Sequence, residues 1–473
     1  MPDARLSPLD ASFLEVESST AHMHVGWAAT FAPPADRPRP SFEELRDHIA
    51  SRLHRAPRYR QRLASVPLGV HDPAWIDDPD FDVHRHVLPA RTGDLAEVVD
   101  LVMSVPLSRE RPLWEMWIAP ELEDGRIGFV GKAHHCMVDG VAAVELGTLL
   151  LDLEPDPAPS DDKGWRPRAA PGRAELLVRG VADRVSQQLE LARGPLGLLR
   201  SPQRLFDVPA MAMSHVRTLA RSLFPLAQPS ALNKPSSPLR HLAPLRRPLE
   251  DLRTIKNRTG TTLNDVVLTA CAGGLAGFLA ERGDDPGPLK TMVPVNVRDE
   301  GAEGDLGNRI SFMFVELPCD ELDPLRRLAS LHGATAMRKA ENDPQDTDAA
   351  LQALSYAPAP VQKVVSRLVS SPRTFNLVVS NIPGPRIPLY LLGCEMLDAY
   401  PVVPLAQDHS LSIGMTTVQD DACFGFYADR MALPDADELP AHVDAAIDEL
   451  LELTAPRPMP MPEPTPEPEL TPV

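Results

Sequence analysis

A break rich in proline, aspartate and arginine lies at residues 154–172 and reads EPDPAPSDDKGWRPRAAPG, in a chain of 473 residues. Proline lacks a backbone donor and does not continue a helix or a central strand, so we expect no element to cross this stretch. A chain of this length also exceeds the size at which a single hydrophobic core stops growing. The sequence therefore predicts an N-terminal domain at 1–160, a basic helical linker at 161–235 and a second domain at 236–454.

The elements expected within these domains are both helices and strands. Leu45, Ile49 and Leu53 share one face of a predicted helix at 41–63, and a long apolar helix with closely packing Gly and Ala is predicted from residue 262. Strand patterns include RIGFVGKAHH, LKTMVPVNVR, NRISFMFVELP, TFNLVVSNIPGP, LSIGMTTVQ and ACFGFYADR. Residues 455–473 hold eight prolines and no apolar periodicity, which predicts a disordered tail.

Charge and cysteine content restrict the class of partner and the compartment. The 66 acidic and 47 basic residues leave a net charge of -19, which argues against nucleic acid as a partner. Five cysteines without a CxxC pair indicate free thiols in a reducing compartment. The N-terminus lacks the apolar region of a secretory signal and no run approaches 18 apolar residues, so we expect a cytoplasmic protein without a membrane span.

One segment departs from the acidic balance. Residues 164–247 carry 14 basic and 4 acidic residues, a local charge of +10. Two interpretations are open: a solvated connector whose arginines happen to cluster, or a basic surface for anionic lipid headgroups or for the phosphates of a cofactor.

Two adjacent histidines, His134 and His135 of HHCMVDG, lie at the end of a predicted strand. His135 precedes Asp139 by four residues. Successive side chains of a strand point to opposite faces, so only one of the two histidines can face a given cavity. A neutral imidazole with a pKa of about 6.5 suits a general base that deprotonates a hydroxyl or thiol attacking an activated acyl group.

Other chemistries lack their motifs. A zinc site needs three or four ligands, and His135 and Asp139 supply at most two, without an HExxH sequence. The nucleophile motif GxSxG and the phosphate loops GxxxxGK[ST] and GxGxxG are missing. A purely structural alternative stays open, in which Asp139 caps a helix beginning near Gly140 while both histidines pack.

HHCMVDG also matches the HHxxxDG motif of the CoA-dependent acyltransferase superfamily. Its flanking motifs occur in order: LSPLDASFLEVESSTAHMHVGW, PLSRERPLWEMW, TLNDVVLTACAGGL, MVPVNVR, GNRISFMFVELP and SNIPGP. With these, the chain resembles the bacterial wax ester synthase/diacylglycerol acyltransferases over roughly residues 5–453.

The resemblance implies an α/β fold of two chloramphenicol-acetyltransferase-like domains, each a mixed sheet with flanking helices, and an active-site tunnel at their interface. It implies acyl-CoA as co-substrate without a bound cofactor, and a fatty alcohol or a diacylglycerol as acceptor. The further expectation is a cytoplasmic protein that attaches peripherally to the inner membrane or to lipid droplets through segment 164–247.

Residue roles follow from the same resemblance. His135 matches the general base and His134 a supporting residue, while Asp139 matches a structural aspartate paired with Arg298 of PVNVR. Gly140 is expected to allow a tight turn. No acyl-enzyme is required, which makes Cys136 a bystander, and no metal is expected.

Four further residues are candidates for substrate binding. Ser380 and Asn381 are polar groups at a strand end, where they would line the tunnel. Asn264 belongs to another family motif, although helix capping explains its position equally well. Trp114 either shapes the acyl path or belongs to the core.

Two other functions compete with this interpretation. One is a condensation or polyketide-type acyltransferase that takes acyl groups from a carrier protein. The other is a non-catalytic protein that coats lipid droplets, for which the basic segment and its helices would serve.

Overall fold

Among the residues that the structure describes, more of the helices lie in the second half of the chain than in the first. The computed structural model describes residues 6–137, 150–158, 164–183, 185, 224–296, 310–340 and 359–455. In these residues the helices are α1 (Pro8–Val16), α2 (Phe42–Arg52), α3 (Leu95–Met103), α4 (Leu249–Thr259), α5 (Leu263–Glu281), α6 (Pro324–Ala340), α7 (Ala359–Val369) and α8 (Leu439–Thr454), with a further helical segment at 173–183.

Strands form two large sheets and one small one. In chain order they are β1 (His24–Ala32), β2 (Gln61–Ala64), β3 (Ala74–Asp77), β4 (Val87–Pro89), β5 (Trp114–Ala119), β6 (Ile127–His134), β7 (Arg240–Pro248), β8 (Leu289–Asn296), β9 (Ile310–Leu317), β10 (Leu377–Ile382), β11 (Tyr390–Leu391), β12 (Cys394–Val402), β13 (Leu411–Val418) and β14 (Asp421–Asp429). The first sheet has the order β11-β12-β1-β6-β5-β4, the second β7-β14-β13-β10-β8-β9, and β2 pairs with β3.

Both large sheets are mixed. In the first, β4 and β5 run parallel and the other neighbours antiparallel. In the second, β10 runs parallel to β8 and to β13, and the outer pairs are antiparallel. The predicted α/β class with mixed sheets and flanking helices is confirmed.

A strand from the second half of the chain completes the first sheet. β12 pairs antiparallel with β1 from Gly26 opposite Val402 to Ala32 opposite Glu395, with a bulge between Thr30 and Phe31. Asp398 on β12 is buried and accepts hydrogen bonds from the Thr30 backbone at 3.2 Å and its hydroxyl at 2.8 Å. The first sheet therefore needs residues from both halves, and β12 falls inside the predicted domain 236–454.

Helix α5 lies at the centre of the hydrophobic core that packs against the second large sheet. Thr262 and Asp265 form a capping box at its start, and Gly274 faces α8, where an added Cβ would lie 2.4 Å from Cγ2 of Val443. By length and composition this helix could cross a membrane, but 67% of its most apolar window is buried inside the protein. Its glycine and alanine content serves close helix packing, as predicted.

The predicted helix at 41–63 is shorter than expected. Leu45 and Ile49 are fully buried, but α2 ends at Arg52 and short 3₁₀ turns follow. Ala56 precedes Pro57, and the residue before a proline avoids the helical region because of a clash with the proline ring. The extension to residue 63 was therefore wrong.

The first part of the predicted linker is attached to the N-terminal half. Arg168 donates to both carboxylate oxygens of Asp77, at 3.1 Å and 3.0 Å, and these bonds lower the pKa of Asp77 to about 2. The Trp165 ring lies edge-on to Phe81 and under the guanidinium of Arg60. The proline-rich break thus ends in a docked segment.

The helix predicted from residue 173 is present as a helical segment at 173–183, and its apolar side chains differ in exposure. Val181 and Val185, which the helical spacing places on one face with Leu177, are 44% and 49% exposed, whereas Leu176 is buried. The helix predicted over VAAVELGTLLLDL, residues 141–153, is outside the described residues as far as 149, and residues 150–153 are not helical, since Asp152 forms an isolated bridge with Tyr390. The predicted helix around 213–223 and the predicted tail from residue 456 lie outside the described residues.

Candidate active site

His135 lies one residue beyond the end of β6. Ile127 and Phe129 of this strand are buried on the core side, and His134 is its last residue. The His135 N–H then donates to the carbonyl of Met23 at 2.9 Å, just before β1 begins. The pairing of two central strands thereby fixes the backbone that carries this histidine.

The imidazole of His135 is packed against an aromatic ring. The Phe13 ring of α1 stacks on it with centroids 3.8 Å apart and planes 16° apart. Nδ1 is buried and has no hydrogen-bond partner from another residue in the described part of the chain. Burial lowers the pKa of His135 to about 4, with its own backbone carbonyl opposing this change and His134 adding to it. The side chain is therefore neutral at physiological pH and able to accept a proton.

His134 points into the fold. Its Nδ1 accepts a hydrogen bond from the Cys136 N–H at 3.1 Å, and its Nε2 lies 3.7 Å from the Glu17 carboxylate, which also pairs with Arg109. Burial, followed by the charge of Arg109, lowers the pKa of His134 to about 3. Since Nδ1 accepts, the proton of the neutral ring is on Nε2, facing Glu17.

Cys136 is also buried, at 2% exposure. Burial raises the pKa of its thiol far above the ordinary range, with Asp10 adding to the effect. The thiolate is the nucleophilic form of cysteine, so this environment argues against covalent catalysis at Cys136.

Three polar residues next to the motif were not among those predicted. His24 stands opposite His134 in the β1–β6 register, and the rings of His22 and His24 are 5.2 Å apart. Burial and then the nearby Lys132 ammonium hold the pKa of His24 well below its usual value. The third is Glu17, near His134. The period-two spacing of the histidines in AHMHVGW was the available signal for His22 and His24, although β1 begins only at His24.

The remaining predicted residues lie in different places. Asp139, Gly140 and Arg298 lie outside the described residues. Trp114 is 1% exposed and its Nε1–H donates to the Tyr59 carbonyl at 2.7 Å, which favours the core alternative.

The other candidates belong to the second half. Ser380 is buried on β10 and Asn381 is half-buried beside it. Asn264 is half-buried in the first turn of α5, while its neighbour Asp265 completes the capping box and accepts a hydrogen bond from Thr335 at 2.6 Å. Within the described part of the chain no hydrogen bond joins these residues to either histidine.

Among the described residues, one group of side chains has the composition of a metal site. Glu281, Glu438 and His442 bring their ligand atoms within 4.8 Å of one another. Both glutamates are exposed, and such acidic surface groups are common without a metal. Glu281 is the last residue of α5, Glu438 directly precedes α8 and His442 lies on α8, so the group belongs to other elements than the histidine motif.

Two family models match the chain. The wax ester synthase/diacylglycerol acyltransferase catalytic domain covers residues 6–267, and the WS/DGAT C-terminal domain covers residues 306–451. The chain belongs to the wax ester synthase/diacylglycerol acyltransferase family. It is accordingly an acyltransferase of this type, and the resemblance stated from its motifs is confirmed.

Relatives of this family are similar over nearly their whole length. The chain is 32% identical to the probable diacylglycerol O-acyltransferase tgs1 of Mycobacterium tuberculosis, over 96% of each protein. It is 30% identical to the probable diacylglycerol O-acyltransferase tgs2 of the same species, over 94% of this chain and 98% of the relative.

Solved structures show the same fold. The wax ester synthase/diacylglycerol acyltransferase from Marinobacter aquaeolei VT8 has a TM-score of 0.69 at 24% identity, covering 95% of this chain and 99% of that one. The first condensation domain of the CDA synthetase has a TM-score of 0.55 at 16% identity, with 95% of both chains covered. These likenesses extend the family assignment to the three-dimensional fold.

Proposed function

We propose that this acyltransferase moves a fatty acyl group from acyl-CoA to the hydroxyl of a fatty alcohol, of a diacylglycerol, or of both. The observation that carries the proposal is His135: a neutral imidazole at the end of a central strand, within the HHxxxDG motif of an acyltransferase family. The products would be wax esters or triacylglycerol.

In this proposal His135 is the general base. We assign the proton of the neutral ring to Nδ1, which leaves Nε2 as the acceptor. Nε2 takes the hydroxyl proton as the acceptor oxygen attacks the thioester carbonyl carbon. The tetrahedral intermediate then collapses, the C–S bond breaks, and the imidazolium returns its proton to the departing CoA sulfur.

The low pKa of His135 suits both proton transfers, the acceptance of the hydroxyl proton and its return to the CoA sulfur. A ring whose pKa lies near 4 is almost fully unprotonated at neutral pH, so it is ready to accept a proton. Once protonated, it is a stronger acid than an ordinary imidazolium and transfers the proton readily to the thiolate. Cys136 takes no part, because burial keeps its thiol protonated.

Supporting roles are proposed for other motif residues. Asp139 and Arg298 would form the structural pair and Gly140 the tight turn, while His134 would hold the loop through its bond from Cys136. Ser380 and Asn381 at the end of β10, and Asn264, would contact substrate in a tunnel between the halves.

The acceptor is tested by a competition assay. Purified protein receives radiolabelled long-chain acyl-CoA with a fatty alcohol and a diacylglycerol together, and the labelled products are separated. We expect labelled wax ester, labelled triacylglycerol or both. If the protein strictly required an acyl-carrier protein as donor, the proposal would be replaced by a condensation-type reaction. The chain shares the fold of a condensation domain.

Peripheral attachment to a membrane or lipid droplet through segment 164–247 is part of the proposal. Several cations of this segment are already paired within the protein: Arg168 with Asp77, Arg179 with Glu175, Arg246 with Asp421 and Arg247 with Asp444. Attachment would therefore depend on the other cations of the segment.

Binding to anionic vesicles measures this attachment. We expect co-sedimentation that weakens as salt rises, because exposed charges are screened beyond about 10 Å at 0.1 M ionic strength. Absence of binding at every salt concentration would contradict the proposed surface.

A further inference from the structure

Helix α1 contacts both histidines of the motif. Phe13 lies against the His135 ring, and Glu17, which caps the helix, lies 3.7 Å from Nε2 of His134. The helix is more than a hundred residues away from the motif in the sequence. Its position beside both rings is therefore a product of the tertiary fold.

The contact with His135 is a parallel stack rather than an edge contact. With 3.8 Å between centroids and 16° between planes, the phenyl ring covers one face of the imidazole. The His135 N–H bond to Met23 fixes the backbone, but rotation about the side-chain bonds stays free unless the ring is packed. Phe13 supplies that packing.

The helix is itself connected to the second half of the protein. Glu15 of α1 pairs with Lys363 of α7 at 3.1 Å. In the loop after α1, the hydroxyls of Ser18 and Thr20 donate to Oε1 of Gln407 at 2.7 Å and 3.2 Å. The position of Phe13 therefore depends on contacts from both halves.

We propose that Phe13 is a positioning residue for His135, which orients the imidazole plane and excludes water from one of its faces. This inference rests on the proposed function of His135 as general base. Orientation matters because a proton moves efficiently only along a well-aligned hydrogen bond between the acceptor hydroxyl and Nε2. Exclusion of water matters because it disfavours the imidazolium, in agreement with the lowered pKa of His135.

Three substitutions separate these two effects. Phe13→Leu keeps an apolar cover but removes the flat ring, Phe13→Ala admits water, and Phe13→Tyr keeps the stack. Phe42→Leu is the matched control, since Phe42 is also a half-buried helical residue of the same half and packs against the same core.

In steady-state assays of the full chain with acyl-CoA and acceptor, we expect Phe13→Leu to lower kcat roughly 10-fold with little change in KM, because alignment is lost while binding is kept. Phe13→Tyr should restore kcat to within about 2-fold of the wild type, since the stack is kept. Phe13→Ala should move the midpoint of the pH–rate profile upward, toward the ordinary histidine pKa. Phe13→Leu and Phe42→Leu should change the melting temperature to a similar extent.

A second readout does not require turnover. Diethyl pyrocarbonate labelling of His135, followed by mass spectrometry, should be slow in the wild type and faster in Phe13→Ala, because one ring face is uncovered. Wild-type kcat in Phe13→Leu, or an unchanged pH midpoint and labelling rate in Phe13→Ala, would overturn the inference. A wild-type protein without acyl transfer would refute the proposed function instead, and the labelling would still report whether Phe13 covers His135.

Discussion

His135→Ala is expected to lower kcat by about 10²–10⁴-fold, the usual contribution of a general base. The substitution removes the atom that accepts the hydroxyl proton, while bound acyl-CoA and acceptor keep their contacts. KM should therefore change much less than kcat. The measurement is the initial rate of ester formation over a range of both substrates.

Two other histidines serve as controls for this result. His84→Ala removes an exposed ring that pairs only locally with Asp82 and should leave kcat unchanged. His134→Ala removes the acceptor of the Cys136 N–H and should lower the melting temperature as well as the rate. A His135→Ala variant with wild-type kcat and wild-type stability would exclude His135 as the base.

Asp152→Ala is expected to lower the free energy of unfolding by about 3–5 kcal/mol, because it leaves a buried charge without its partner. Asp152 is 3% exposed and accepts hydrogen bonds from Arg52 at 3.0 Å and 3.2 Å, from His48 at 2.8 Å and from Arg55 at 3.1 Å. Arg52 is equally buried and would lose the carboxylate of Asp152 as its partner. Urea unfolding followed by circular dichroism compares the free energies of unfolding of the two proteins. The comparison holds if the dependence of this free energy on urea concentration is the same for both.

The matched control lies four residues away. Asp156 pairs with Arg37 at 2.6 Å, but its side chain is 74% exposed, so Asp156→Ala should cost no more than about 1 kcal/mol. Equal losses for Asp152→Ala and Asp156→Ala would contradict the importance assigned to burial.

The same network sets a dependence on pH. Burial alone would raise the pKa of Asp152, but the hydrogen bonds and charges of Arg52, His48 and Arg55 outweigh it and the pKa is lowered. A group whose pKa is lower in the folded state stabilises the protein above its unfolded pKa and loses this contribution as pH falls through the folded pKa. The difference between wild type and Asp152→Ala should therefore shrink in acid.

Local sequence patterns predicted the elements that carry their own periodicity. The strands β9 and β13 lie within NRISFMFVELP and LSIGMTTVQ, and β14 begins one residue before ACFGFYADR. The sequence pattern also predicts a final helix at 437–453, and α8 spans Leu439–Thr454. In each case alternating or helical spacing of apolar residues reports directly which face is buried. The order of HHCMVDG after a strand also placed His135 correctly at a strand end.

Contacts between distant parts of the chain were not predictable in this way. The pairing of β12 with β1 and the stack of Phe13 on His135 depend on how separate elements pack, which spacing within one element does not report. Nor did the pattern indicate that Leu176 is buried and Val181 exposed, because a weakly amphipathic helix has two nearly equivalent apolar faces. The buried position of Trp114, which is 1% exposed, likewise depends on contacts with distant residues such as Tyr59.

The pairing of β1 with β12 has a consequence for synthesis of the chain on the ribosome. β1 ends at Ala32 and β12 begins at Cys394, so 362 residues separate the two positions. At a translation rate of about 5–20 residues per second, β12 is synthesised roughly 20–70 s after β1, and the edge of β1 that β12 covers is unpaired until then. During that time the nascent chain presents unpaired strand hydrogen-bonding groups, so we expect this edge of β1 to be open to pairing with other chains until β12 covers it.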